Sequence, residues 1–302
     1  MCWQLAAQNA HHYMYANRDR ETIHTKAFLK TEQLEGALVK YTWRQLEKAP
    51  GEYDFHLIEE DLSFLMSKGK KLFIQLQDVS FDTAIVNVPD YLRQNPVYKG
   101  GLAIQYMFAN DQDKIKRQDG WVPRRWEPAF AERFHLLVRK LGAAFDGRIE
   151  GIILPETSID FGTTGKYFPD GYSPESYRDA ILANMGVLKS AFPKSAKIQY
   201  TNFMPGEWLP WDDKGYLKSL YTYAAEHQIG MGGPDIKVWK KAQMNHSYGL
   251  LNQHGKDLVV GMAIQWGNYE EKNPFKSECN YSPLPVFTCS QFRISSPATR
   301  RN

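Results

Sequence analysis

Gly36-Ala-Leu-Val-Lys-Tyr-Thr-Trp43 is a short, β-rich apolar run, and Lys71-Leu-Phe-Ile-Gln-Leu-Gln-Asp78 is a second. Between them lie a turn at Pro50-Gly51 and a stretch whose Ile58, Leu62 and Leu65 fall at i, i+4 and i+7, the spacing of one helix face. Asp54 is placed to cap that helix and Gly69 to end it. Strand, helix and strand joined by short connections make a βαβ unit, which pairs its strands in parallel.

The same rhythm continues outward. Further strands are expected at Ile149-Glu-Gly-Ile-Ile-Leu-Pro155, Ala196–Asn202, Ile229–Gly232 and Leu258–Gln265, and Ala10–Tyr15 serves as a first strand. Pro128 opens a helix with Phe130, Phe134, Leu137 and Leu141 on one face, closed by Gly147. Ser173-Pro174 opens another carrying Tyr177, Ile181, Met185, Leu188 and Phe192, and a third starts near Asp213. Residues 79–125 break the pattern and read as a long irregular stretch, kept ordered as a lid by Tyr106, Met107, Phe108, Trp121 and Trp126. Near-continuous apolar strands between amphipathic helices predict a parallel sheet covered on both faces. No GxGxxG turn or Walker-type loop is present, so an α/β fold of the (β/α)8 TIM-barrel type is preferred to a doubly wound nucleotide-binding sheet. Its domain spans 1–270. For an eighth strand only Leu284–Cys289 offers itself, and 271–302 reads as an irregular tail, which leaves the barrel incomplete at the C-terminus or closed in an unusual way.

Composition narrows the function. With 37 Lys and Arg against 34 Asp and Glu, the net charge of +3 gives no reason to expect a nucleic-acid partner. The stretch MCWQLAAQNAHHYMYANRDR lacks the pattern of a signal peptide, and no stretch has the length of a membrane span; localisation is left undetermined, and secretion would require a signal since removed. The cysteines Cys2, Cys279 and Cys289 form no framework beyond an optional 279–289 pair, and the histidines lack metal-ligand spacing, so no metal or cofactor is expected. Eight Trp, 17 Tyr and 16 Phe exceed what one core needs, and aromatic faces are natural platforms for sugar rings. The expected partner is an oligo- or polysaccharide, with a homo-oligomer left open.

In parallel barrels the chemistry gathers where strands end. Those ends offer Trp43 with Arg44, Gln77 with Asp78, Glu156, Asn202, Asp235, and Gln265 with Trp266 and Asn268. Glu156 directly ends the most apolar strand, where burial raises a carboxyl pKa toward the value a general acid needs; the competing reading is a buried ion pair with Lys40 or Arg44. Glycosidic cleavage generally needs a second carboxyl. Asp235 follows glycines that would let the backbone approach a ligand, and Glu207 lies on a loop with Trp208 and Trp211; the two are nearly even, with Asp235 ahead. Trp121, Trp126 and Trp208 are further candidate sugar platforms.

Tyr41-Thr-Trp-Arg-Gln-Leu-Glu-Lys-Ala-Pro-Gly-Glu-Tyr-Asp-Phe55, followed by Gly69-Lys-Lys-Leu-Phe-Ile-Gln75, resembles the second βα unit of barrel glycosidases of the clan containing cellulases, xylanases and β-galactosidases. The likeness runs from about Gly36 to Asn268. It implies a glycoside hydrolase of the cellulase or endoglucanase type, acting on β-linked glucan or related plant polysaccharide, with Glu156 as the acid/base after the fourth strand. The chain departs from the clan at Pro155, where an Asn is usual, and at Gln265, which stands where the clan has its nucleophilic Glu. The Pro-Gly-Glu-Trp and Gly-Gly-Pro-Asp stretches also resemble uncharacterised cellulase-like barrels. The competing class is a non-catalytic carbohydrate-binding barrel.

Overall fold

The computed structural model describes residues 10–109, 113–237, 240–255 and 257–264, and the backbone of 290–295. Seven strands form a parallel ladder: β1 (Ala10–Asn17), β2 (Leu34–Thr42), β3 (Lys71–Gln77), β4 (Gly151–Leu154), β5 (Ala196–Tyr200), β6 (Gly230–Gly233) and β7 (Val260–Ile264). An eighth, β8 (Ser290–Ser295), runs antiparallel between β7 and β1, with Ile294 opposite both Gly261 and His11, and closes the barrel. The closing strand thus comes from the stretch whose composition suggests a tail. The expected eighth strand at Leu284–Cys289 and all three cysteines lie outside the described residues.

Closure leaves no free sheet edge and buries both faces of the strands. Tyr13, Leu38, Phe73, Ile153, Ile198 and Ala263 fill the interior. Their neighbours Met14, Ala37, Val39, Leu72, Ile74, Ile152 and Leu154 point outward to the helices. Packing requires Gly232 of β6: a Cβ there would stand 1.7 Å from the carbonyl oxygen of Gly261 on β7.

The outer layer is led by α1 (His56–Ser67), α2 (Pro128–Phe145), α3 (Pro174–Ala191) and α4 (Tyr216–His227). The helices α1, α2 and α3 bury the stripes their spacing predicts, and Ser173 caps α3 through a reciprocal box with Ser176. Asp54 sits one residue outside the expected cap, where its carboxylate accepts the amide of His56 at 3.2 Å. Among the described residues no helix is long and apolar enough to cross a membrane.

Two expectations change. The stretch 79–125 is not irregular: it holds a short helix, Asp90–Gln94, and a hairpin of Leu102–Phe108 with Ile115–Pro123. The hairpin is tied to the end of β3 by paired backbone hydrogen bonds between Ser80 and Trp121. Glu207 is not a mouth residue either. Its carboxylate is buried and accepts the amides of Lys214 at 3.2 Å, Tyr216 at 3.0 Å and Leu217 at 2.7 Å, so it caps α4.

Asp78 has a structural partner. Arg125 meets it with Nη2–Oδ1 at 2.5 Å and Nε–Oδ2 at 3.1 Å, and both side chains are almost wholly buried. Arg125 also donates to the Tyr177 hydroxyl at 2.9 Å, which donates to the Thr157 carbonyl at 3.2 Å. This chain locks the end of β3, the return from the hairpin, α3 and the loop after β4 together.

Removing one member of a buried pair strands the other charge, so Arg125→Ala should cost about 3–5 kcal/mol, read as a lowered denaturation midpoint. Glu207→Ala, which orphans the buried amides of Tyr216 and Leu217 and the part-buried one of Lys214, should cost about 1–3 kcal/mol; an unchanged midpoint would show that the carboxylate does not anchor α4.

Candidate functional site

The pleat sends alternate residues into the barrel, and along each strand the inward series changes character. On β1 it runs Tyr13, Tyr15, then Asn17; on β2 Leu38, then Lys40; on β3 Phe73, then Gln75 and Gln77. The lower interior is apolar, and the C-terminal ends are polar. The polar layer opens into a cavity of about 320 Å³, which Glu156 enters from the end of β4 and Pro234 from the end of β6. The β3 loop adds Val79, Ser80, Phe81, Asp82 and Ile85.

Glu156 occupies the expected place at the mouth. Its Oε2 accepts from the Asn202 amide at 2.6 Å. Asn202 is itself fixed, because its Oδ1 accepts the backbone amides of Ser158 at 3.1 Å and Phe203 at 2.9 Å. Burial pushes the Glu156 pKa up to about 7. The Asn202 hydrogen bond and the positive charges of Lys40 and Arg125 oppose the rise, while Asp235 adds to it. Lys40 shares the cavity without an ion pair to Glu156, so the buried-pair alternative does not hold in that form.

Asp235 ends β6, near enough for its charge to act on Glu156. Its Oδ1 accepts from Gln243 Nε2 at 2.6 Å, and its Oδ2 lies 3.6 Å from Lys237 Nζ. The other expected residues divide. Gln77 lines the cavity, its Nε2 donating to the Val79 carbonyl at 2.6 Å, and Asn202 holds Glu156. Asp78 is consumed by Arg125, and Glu207 by the amides of α4.

Among the described residues no tryptophan lines this cavity. Trp43 is fully buried in the helix layer against Phe130 and Phe134, with Nε1 on Glu47 at 2.7 Å, because its strand has already ended and turned outward. Arg44 pairs with Asp90 at 2.5 Å on the outside. Trp121 and Trp126 donate their indole N–H to the carbonyls of Thr83 and Asp170. Trp208 stays half exposed, stacked on Phe203 and edge-on to His246. Gln265, Trp266 and Asn268 lie outside the described residues.

Sequence reasoning passes over Arg18, Gln75 and Asp82, and reads Lys40 only as a partner for Glu156. The signal for two of them is present: Lys40 and Gln75 stand two residues after the inward-facing Leu38 and Phe73, on the same face of their strands. Asp82 sits on a loop with no periodicity to reveal it.

No protein-family model matches the chain, and no curated protein matches it in sequence. Among solved structures the chain is similar to xylanase XynB from Paenibacillus barcinonensis complexed with a conduramine derivative, at 10% identity and a TM-score of 0.51, covering 86% of this chain and 72% of that one. It also matches xylanase 10B from Thermotoga petrophila RKU-1 in complex with xylobiose, at 10% identity and a TM-score of 0.47, over 84% of this chain and 70% of the xylanase. A β-galactosidase from Bacillus circulans sp. alkalophilus matches at 12% identity and a TM-score of 0.46, over 74% of this chain but only 40% of its own length. At such identities the likeness is one of fold, and the fold is the (β/α)8 barrel.

Proposed function

We propose that this chain is a glycoside hydrolase in which Glu156 is the general acid/base. The observation that carries the reading is a carboxyl at the barrel mouth, held by Asn202 and pushed up to about 7, so that it can be a proton donor below neutrality and an acceptor above it. A glycosidic oxygen must be protonated as its bond breaks, and a second carboxyl must act from the other side of the sugar. Asp235 is our choice for that role: it comes from the neighbouring side of the mouth, and Gln243 and Lys237 hold it in one orientation. The substrate class we favour is a β-linked glucan or related plant polysaccharide, with one sugar unit seated in the cavity, which is at the small end of ligand pockets.

A non-catalytic carbohydrate-binding barrel is the second reading. The same contacts to Asp235 favour it, because a carboxylate engaged on both oxygens is poorly placed to attack.

Glu156→Gln should lower the release of reducing ends from soluble β-glucan by about 10²–10⁴-fold. Unchanged turnover removes Glu156 from the mechanism; wild-type protein that binds the glucan without cleaving it supports the second reading. The pH profile carries a further test. A general acid is lost as it ionises, so activity should fall as pH rises through about 7. The Asn202 amide favours the ionised form, so Asn202→Ala should raise the Glu156 pKa further and move that alkaline limb to higher pH. A limb that stays in place would mean another group sets it.

A further inference from the structure

Two cations, Arg18 and Lys40, line one side of the cavity, at the ends of β1 and β2. Among the described residues neither makes an ion pair or hydrogen bond with an acid; Lys40 has only the Tyr15 ring, 5.7 Å from Nζ to centroid. Removing an ammonium from water beside another cation is unfavourable, and burial followed by the Arg18 charge pushes the Lys40 pKa down to about 8. The carboxyls that share the cavity compensate only in part: the Glu156 charge holds the Lys40 pKa up, but it ranks behind burial and the Arg18 charge, and the two side chains form no ion pair. Asp82 is at the exposed rim, with Oδ1 taken by the Ala84 amide at 2.9 Å, and Glu156 is uncharged while it serves as an acid. Next to the cations lies Gln75, only 4% exposed, whose Oε1 accepts no hydrogen bond. A polar group this deeply buried is ordinarily satisfied, and a sugar hydroxyl in the cavity could donate to it.

We propose that the cavity selects a sugar unit carrying a fixed negative charge, a uronate carboxylate above all, with Arg18 and Lys40 binding the anion and Gln75 accepting from a ring hydroxyl. The inference rests on the preceding reading only in taking the ligand to be a carbohydrate. A guanidinium fork matches a carboxylate, and an ammonium beside it adds a charge-assisted hydrogen bond. A neutral sugar would leave both cations in the cavity without an anionic ligand. Lys40 then has a positioning role for ligand charge that is separate from its effect on Glu156.

The test compares ligands that differ only at C6, a carboxylate in methyl β-glucuronide and a hydroxymethyl in methyl β-glucoside, titrated into the full chain at pH 6 and low salt and followed by calorimetry. The glucuronide should bind at least ~10-fold more tightly, a preference that shrinks as salt screens it. Arg18→Gln, at an exposed position where folding should tolerate the change, should reduce the ratio, and Lys40→Gln should reduce it further. Glucose 6-sulfate is the third arm. Binding equal to the glucuronide shows a site for fixed charge in general, and weaker binding shows one shaped for a carboxylate. Equal or tighter binding of the glucoside, or no response to the glucuronide, overturns the proposal. Because these titrations need no turnover, hydrolysis of neutral glycosides without anion preference would sink this inference alone. Anion preference without hydrolysis would sink the hydrolase alone.

Discussion

A ladder of seven parallel strands closed by one antiparallel strand allows each inward-facing side chain only one direction, toward the barrel axis, and the remaining features of this protein follow from that constraint. Once β8 joins β7 to β1, the pleat alternates between the lumen and the helix layer, with register shifts in the β1–β2 pairing at His12/Tyr13 and Tyr15/Asn17. Large apolar groups such as Tyr13, Phe73 and Ile198 fill the lower lumen. Polar groups placed two residues later have no such partners, and the βα loops roof them into a cavity. The site is therefore a product of strand register. A slip of one residue in β2 or β3 would send Lys40, Gln75 and Gln77 into the apolar helix layer.

Orientation at the mouth comes from hydrogen-bonded buried groups rather than from mobile side chains. The Asp78, Arg125, Tyr177 and Thr157 chain fixes the residue that follows Glu156, and Asn202, held by two backbone amides, fixes the carboxyl itself. Such a frame is assembled on folding and not on ligand binding, which is what electrostatic preorganisation requires. The same frame holds Glu156 at the strand end, where partial burial keeps its proton affinity high.

The parallel strands and the four main helices are legible in the sequence because each carries a strong period: near-continuous apolar runs for strands buried on both faces, and i, i+4, i+7 stripes for helices. Glu156 is legible for the same reason, as the first charged residue after an apolar strand. The hairpin at 102–123 is not, since its second strand begins with exposed Ile115, Lys116, Arg117 and Gln118 and shows no alternation. β8 is hidden by a composition rich in Ser and Arg, and is identified by its pairing. Trp43 and Glu207 mislead in opposite ways. An aromatic at a strand end can turn outward into the helix layer, and an acid on a loop can be spent on the amides that open a helix. Position along the chain is common to both possibilities, and only the contacts separate them.

The central claim is that the barrel mouth holds a carboxyl that stays protonated near neutral pH. A pH titration of carboxyl carbons by NMR, with the spectrum of Glu156→Gln subtracted to isolate this residue, measures it directly. The structure predicts one glutamate that titrates near pH 7 and is absent from the variant. A Glu156 signal that titrates at the ordinary value of 4.5 would contradict the account.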